Sequence, residues 1–318
     1  MDVNRTKEIL EELKCLDLST YPYEKAKTLI EEVFKFHAML YIIPKGSPVL
    51  RARLNENFKN FREVSDLSYK PQKYNKTYQR ASTPYKTAFY AGTLPDNTKF
   101  NDIRVIATLE VSPLVRKAMT NKNLDLTKEI QIEMLTYGKW EAIKEIPLVA
   151  LCYHKNFIEK HPVTEGLYKV YTESLSKLTE EEQEISKKVN DFFAAEFAKD
   201  EISHDSDYLL SAIFTEVAIS LGHAGVIYPS VRCEGEGYNI AIAPEYVNTS
   251  FRLTAVGESK LYTKNKRFLI NNDSITLIKP GQKRFTCISQ RGRKNFTDEK
   301  IILAYLNNEI ELPIKMKN

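Results

Sequence analysis

The sequence predicts an α+β fold, and three observations predict it. Apolar residues recur at close to 3.6 spacing in residues 1–43 and again over about 164–222. Short runs of strand type take over after Gly225. The two kinds of segment are segregated rather than alternating, which disfavours a doubly wound parallel sheet.

Residues 1–43 read as two helices, the first marked by Ile9, Leu10 and Leu13, the second by Leu29, Ile30, Val33, Phe34 and Met39. Turn residues between Ser19 and Pro22 separate them, and Pro44 to Pro48 forms a loop. Val105, Ala107, Leu109 and Val111 alternate as on a strand, yet a helix accommodates the same short run. Ile146 to Tyr153 is a better strand candidate. Thr179 with Glu182 has the form of a capping box, after which Ile185, Val189, Phe192, Phe193 and Phe197 share a helix face. Asp207 is positioned to cap a further helix through Leu221, and Gly222 to end it. Strands are expected at Val226 to Tyr228, Ile240 to Ile242 and Phe251 to Val256. Shorter apolar runs continue to the C-terminus, broken at Asn271-Asn272 and Pro280-Gly281. Neither an internal repeat nor a low-complexity tract is visible.

The 318 residues suffice for one large domain or two small ones. Lys and Arg number 46 against 42 Asp and Glu, interspersed, so the net charge of +4 makes no global demand for nucleic acid or membrane. Cys15, Cys152, Cys233 and Cys287 are widely separated without a C-x-x-C pair, which speaks against a disulfide framework or structural zinc and for a reducing compartment. The five histidines are dispersed, so no metal site is expected. No apolar run reaches the roughly 18–20 residues that cross a bilayer. The opening MDVNRTKEIL lacks the apolar stretch of a secretory signal, and a cytoplasmic location is expected.

Two blocks carry the chemistry. Arg51 to Tyr90 reads RARLNENFKNFREVSDLSYKPQKYNKTYQRASTPYKTAFY, and Gly225 to Asn239 reads GVIYPSVRCEGEGYN. Together they resemble the RES domain, a family named for an arginine, a glutamate and a serine. Arg51 in VLRARLN matches the first family arginine, with Arg53 the competing choice. VSDLSYKP resembles the connector to the second arginine, matched by Arg80 in QRAS, where an asparagine commonly stands in place of Ser82. Tyr90 in AFYAG matches the family aromatic, Glu110 in IATLEVS the glutamate, Ser230 in IYPSV the serine, and Asn239 the asparagine of a following G-x-N segment. The resemblance spans about residues 48–256. Tyr137 to Glu141 with the run after Ile146 looks like a segment of larger members, and residues 207–239 are the best-matched stretch. Compact members place the glutamate nearer the tyrosine, so residues 93–104 read as an insertion, with Glu129 and Glu133 as fallback acids.

The resemblance implies an ADP-ribosyltransferase-like split β-sheet core with flanking helices and an NAD cleft. It implies three parts: an N-terminal helical segment 1–47, an NAD-binding catalytic domain 48–256 with a helical insertion at about 164–222, and a basic C-terminal β extension 257–318. It implies an NAD-consuming enzyme that cleaves the nicotinamide–ribose bond by phosphorolysis or hydrolysis, as bacterial toxins of toxin–antitoxin pairs do; transfer of ADP-ribose to protein is the alternative. NAD is then substrate rather than cofactor, and an antitoxin or other regulatory protein is the partner the family suggests. Extra helical segments would cover the cleft or bind such a partner.

The chemistry accounts for the residue types. Nicotinamide is cationic in NAD and departs neutral, so no general acid need protonate it, unlike an ordinary glycosidic leaving group. One carboxylate, Glu110, can stabilise the oxocarbenium-like ribose. Arg51 and Arg80, with Arg53, would grip the diphosphate through their guanidinium forks. Tyr90 would pack on the nicotinamide ribose, and Ser230 and Asn239 would hydrogen-bond the nicotinamide side or the acceptor. Taken singly, each residue has a plainer reading: a solvated arginine, a core tyrosine, a surface glutamate, a turn serine. The ordered set carries the weight.

A nucleic-acid binder is the competing class. Lys279 to Lys294, KPGQKRFTCISQRGRK, holds six basic residues, no acid, and Phe285 as a candidate stacking ring. A solvated basic hairpin is the preferred reading there, because no nucleic-acid-binding motif accompanies it.

Overall fold

The computed structural model describes residues 2–93, 100–115, 129–151, 157, 162–233, 235, 237–264, 267–293 and 297–311. Its elements run α1 (Val3–Lys14), α2 (Tyr23–Val33), β1 (Leu40–Ile43), β2 (Pro48–Leu54), β3 (Phe89–Thr93), α3 (Phe100–Val111), β4 (Gln131–Ala142) and β5 (Ile146–Ala150). There follow α4 (Pro162–Leu175), α5 (Glu180–Phe197), α6 (Leu209–Ser220), β6 (Gly225–Pro229), β7 (Tyr238–Ile242) and α7 (Pro244–Ser250). Then come β8 (Phe251–Lys264), β9 (Arg267–Leu277), β10 (Ile288–Ser289) and α8 (Glu299–Leu306). The architecture is mixed, of the α+β kind, and among the described residues no helix is long and apolar enough to cross a membrane.

The chain divides into two compact units, each assembled from three segments. Unit 1 is Met1–Ser47, Tyr69–Pro95 and Ala142–Phe251; unit 2 is Pro48–Ser68, Asp96–Glu141 and Arg252–Asn318. Residues 1–47, read as a separate helical segment, thus share a unit with 69–95 and 142–251. The C-terminal stretch shares one with the Arg51 strand.

In unit 1 the strands lie in the order β1-β5-β6-β7-β3. Only β5 and β6 are parallel, and the crossover between them runs through α4, α5 and α6. The helices α1, α2, α5 and α6 bury one continuous core against Val149, Val226, Tyr228 and Ala241. Nine of the twelve residues of α6 are buried, as expected for a helix apolar on nearly every side. Its Phe214 is the hub of the aromatic packing, with ring centres 4.3 Å from Phe193, 4.9 Å from Phe34 and 6.4 Å from Phe36. That packing explains why α2 stops at Val33: Phe34 and Phe36 turn in to Phe214 instead of continuing the helical stripe. Met39, counted with that stripe in the sequence, packs on Tyr171 and Leu175 of α4.

The capping box of α5 forms as its sequence predicts. The Thr179 hydroxyl accepts from Glu182 N–H, and the Glu182 carboxylate accepts from Thr179 N–H at 2.9 Å. Asp207 acts elsewhere than expected. Its carboxylate accepts from the amides of Ser203 and His204, at 2.8 and 3.0 Å, and so caps the 3-10 turn Asp205–Tyr208. That turn leads directly into α6, whose first residue needs no side-chain cap because Tyr208 is already helical. Gly222 ends α6 at a φ of +94°, a left-handed conformation that glycine adopts without penalty.

In unit 2 the order is β2-β4-β8-β9-β10. Residues 104–111, for which strand and helix both stood open, belong to α3, with Ile103, Ile106 and Ala107 buried at helical spacing. The β8–β9 pair is antiparallel with an irregularity at Glu258/Ser259. Helix α8 covers its far end through Ile302 and Leu306 against Tyr262. Cys152 and Tyr153, placed on a strand in the sequence, lie outside the described residues.

Candidate active site

Four of the seven residues singled out in the sequence lie in unit 1. Tyr90 sits on β3 opposite Ala241; Asn239 on β7 is flanked by Gly92 of β3 and Tyr228 of β6. Directly opposed residues share a face of a sheet, as do alternate residues of one strand. Tyr90, Asn239, Tyr228 and Ala241 are therefore on one face, the face that the helices cover. Ser230 follows the end of β6, two residues beyond Tyr228.

The Tyr90 hydroxyl organises the turn that carries Arg80. It accepts from Ala81 N–H at 3.0 Å and shares a 2.8 Å hydrogen bond with the Ser82 hydroxyl, which accepts from Ala88 N–H at 3.0 Å. Reciprocal amide–carbonyl bonds between Gln79 and Ser82 close the turn. From it the Arg80 guanidinium donates to Phe197 O at 2.6 Å and Lys199 O at 2.7 Å, and lies 5.1 Å from the Tyr208 ring centre. A helix leaves its last carbonyls without helical donors, and here a cation satisfies two carbonyls at the end of α5. The Phe197 ring, 5.0 Å from Tyr228, carries the arrangement down to the strand that pairs with Asn239. The fold thus gathers Arg80, Tyr90 and Asn239 where α5 ends on the sheet.

In this arrangement Arg80 and Ser230 have structural duties that the sequence did not disclose. Ser230 is fully buried. Its amide donates to Gly237 O at 2.7 Å, its carbonyl accepts from Gly235 N–H at 3.0 Å, and its hydroxyl accepts from Cys233 N–H at 3.3 Å. Ser230 therefore shapes the turn from β6 to β7. At Gly235, where φ is +86°, a Cβ would meet the Phe157 ring at 2.5 Å, so the turn also requires glycine there.

Sequence reasoning passed over Glu216. Its carboxylate takes hydrogen bonds from the Tyr23 and Thr83 hydroxyls and from Lys86, the last at 2.8 Å, and Lys27 stands at 3.3 Å. It ties α6 to α2 and to the loop between Arg80 and Tyr90. A lone acid inside LLSAIFTEVAIS was the available signal, since a carboxylate on a buried helix needs partners.

Arg51, Arg53 and Glu110 lie in unit 2. Arg51 and Arg53, two residues apart on β2, share a face and stand opposite Gly138 and Thr136 of β4. A Cβ on Gly138 would lie 3.0 Å from Leu253 Cδ1 and 3.1 Å from Trp140 Nε1, so the strand facing Arg51 is closely packed. The Arg53 guanidinium donates to Asp66 O and sits 4.7 Å from the Phe61 ring centre, holding the loop that follows β2.

Glu110 belongs to α3. That helix docks through Thr108, bonded at 2.7 Å to the Tyr137 hydroxyl, and Ser112, which donates to the Glu133 carboxylate. Burial pushes the Tyr137 phenol up to about 12, so it remains a neutral donor or acceptor in that contact. Tyr137 pairs with Ala52, and Glu133 is in phase with it along β4. Helix α3 therefore covers the face of β2 opposite to that of Arg51 and Arg53. Of the fallback acids, Glu133 is engaged by Ser112, and Glu129 is exposed.

Among the described residues no group of three or more His, Cys, Asp or Glu side chains could hold a metal ion. No family model matches the chain, and a search of curated proteins finds no match either.

Proposed function

We propose that the protein consumes NAD, cleaving the bond between nicotinamide and ribose, as the resemblance to the RES domain implies. The observation that carries the reading is the ordered set Arg51, Arg80, Tyr90, Glu110, Ser230 and Asn239 in matching local contexts. The convergence of Arg80, Tyr90 and Asn239 at the end of α5 supports it, because residues 159 apart in sequence are held in one region through Tyr228 and the Ser82 turn. The ADP-ribosyltransferase-like core, with its split sheet, belongs to the same proposal.

In this reading Arg51 grips the diphosphate, Tyr90 packs on the nicotinamide ribose, and Glu110 stabilises the cation as neutral nicotinamide departs. Arg80 and Ser230 act by positioning: one anchors the turn behind Tyr90, the other shapes the β6–β7 turn beside Asn239. Phosphate, water and a protein side chain are the three acceptors. The nucleic-acid reading loses one of its supports, because the Phe285 ring is only 4 % exposed and its amide donates to Arg62 O at 2.9 Å. A buried ring offers no face for a base.

The test is incubation of the protein with NAD, with and without phosphate, followed by mass spectrometry. Nicotinamide released with ADP-ribose 1″-phosphate, with free ADP-ribose or with a modified protein identifies the acceptor; intact NAD under all conditions overturns the reading. Glu110→Gln should lower turnover by about two orders of magnitude or more with little change in NAD binding. Full turnover in that variant removes Glu110 from the chemistry.

A further inference from the structure

The hairpin of unit 2 is inverted with respect to ordinary burial. Gly257 faces Ile275, Ala255 faces Leu277, and Ile275 faces Ile288 across the next pair, so these five residues share one side. On that side Ile275, Leu277 and Ile288 are 45 %, 76 % and 62 % exposed. The neighbouring positions Val256, Glu258 and Ser274 are buried, and there a carboxylate and a hydroxyl are hydrogen-bonded to each other. Glu258 also receives Arg62 at 3.3 Å. A strand pair that encloses Glu and Ser while presenting two isoleucines and a leucine to water departs from the usual partition.

The presented face has a definite shape. A Cβ on Gly257 would meet nothing nearer than Ser274 O at 3.8 Å, so the glycine leaves a shallow floor beside Ile275, continued by Ala255 beside Leu277. The adjoining stretch is cationic: Lys279, Lys283, Arg284, Arg291 and Arg293 are all exposed, and residues 279–293 contain no acid. Glu63, 3.4 Å from Arg284, is itself half exposed and offsets one of these charges.

We propose that this face docks an acidic partner protein, which lays an extended segment of alternating aliphatic and carboxylate side chains over Gly257. The aliphatic strip supplies apolar area, and the basic stretch selects the sign of the partner. A second copy of this chain would bring the same cations face to face. RNA would find aliphatic rather than aromatic surface.

The full-length protein can be titrated with a fluorescent synthetic peptide of alternating Leu and Glu. Comparators are an alternating Leu and Lys peptide, a polyuridine RNA, and phosphatidylcholine vesicles containing phosphatidylserine. Sedimentation of the protein alone reports self-association. Binding of the Leu–Glu peptide is expected to weaken at least about tenfold in the Leu277→Ser/Ile288→Ser double variant and also in Arg291→Glu/Arg293→Glu. Because all four positions are exposed, unchanged thermal melting should accompany both. Equal binding of the two peptides, or binding that survives the Leu277/Ile288 substitutions, overturns the proposal. So does a preference for RNA or vesicles, or self-association abolished by those substitutions.

Discussion

Single side chains in this protein often hold backbone turns together, and Tyr90 is the plainest case. Its hydroxyl bonds the Ala81 amide and the Ser82 hydroxyl, which in turn receives the Ala88 amide. Tyr90→Phe removes that node while keeping the ring, and should cost about 1–3 kcal/mol in urea unfolding. Glu216 governs acid stability. Burial alone would raise its carboxyl, but hydrogen bonds from Lys86, Tyr23 and Thr83 and the Lys86 charge outweigh this and hold it at about 2. The depressed group stabilises the fold above its unfolded value and loses that contribution as pH falls through its folded value. Stability should therefore decline between about pH 5 and about pH 2. Glu216→Gln should flatten that decline and lower stability at neutral pH by about 1–3 kcal/mol, read from denaturant midpoints across pH.

Strands and helices depend on a few positions where an atom more would not fit. Gly225 opens β6 with a φ of +150°, and a Cβ there would come within 1.9 Å of Ala241 O in β7. Gly225→Ala should cost about 3 kcal/mol or more, since the clash is with backbone that cannot rotate away. Gly46→Ala is the control: φ is +90° but nothing lies within 4 Å, so only the left-handed conformation is penalised, at about 1–2 kcal/mol. Thermal melting of the two variants separates crowding from conformation. The same dependence on surroundings decided α3. Its alternation of Val105, Ala107, Leu109 and Val111 suited a strand, and docking of Thr108 on Tyr137 and burial of Ile103 and Ile106 favoured the helix.

At the level of the molecule, the N-terminal helices are part of a core rather than an attachment. Ile9, Leu13, Ile30 and Val33 are buried together with Phe193, Phe214 and Val217. A chain lacking residues 1–43 should lose its cooperative melting transition and aggregate on size-exclusion chromatography, because removal strips the cover from α5 and α6. A lid that leaves the rest intact would instead yield a folded, active fragment. The interleaving of three segments in each unit has the same consequence for other truncations at the expected boundaries, 47 and 256.

The amino-acid order by itself determined the apolar faces of α1, α2 and α5, the α5 capping box, the Gly222 stop and the strands β5, β6, β7 and the start of β8, because 3.6 and 2 residue periods and cap chemistry are local properties. It also set the order of arginines, tyrosine, glutamate, serine and asparagine on which the proposal of NAD cleavage rests. Only the tertiary structure decided what those side chains touch. Arg80 reaches the end of α5, Ser230 turns inward, Phe285 is covered, and α3 packs on the face of β2 that carries Ala52. Such outcomes depend on contacts between segments more than a hundred residues apart as well as on strand register, and a one-residue change of register exchanges the two faces of a strand.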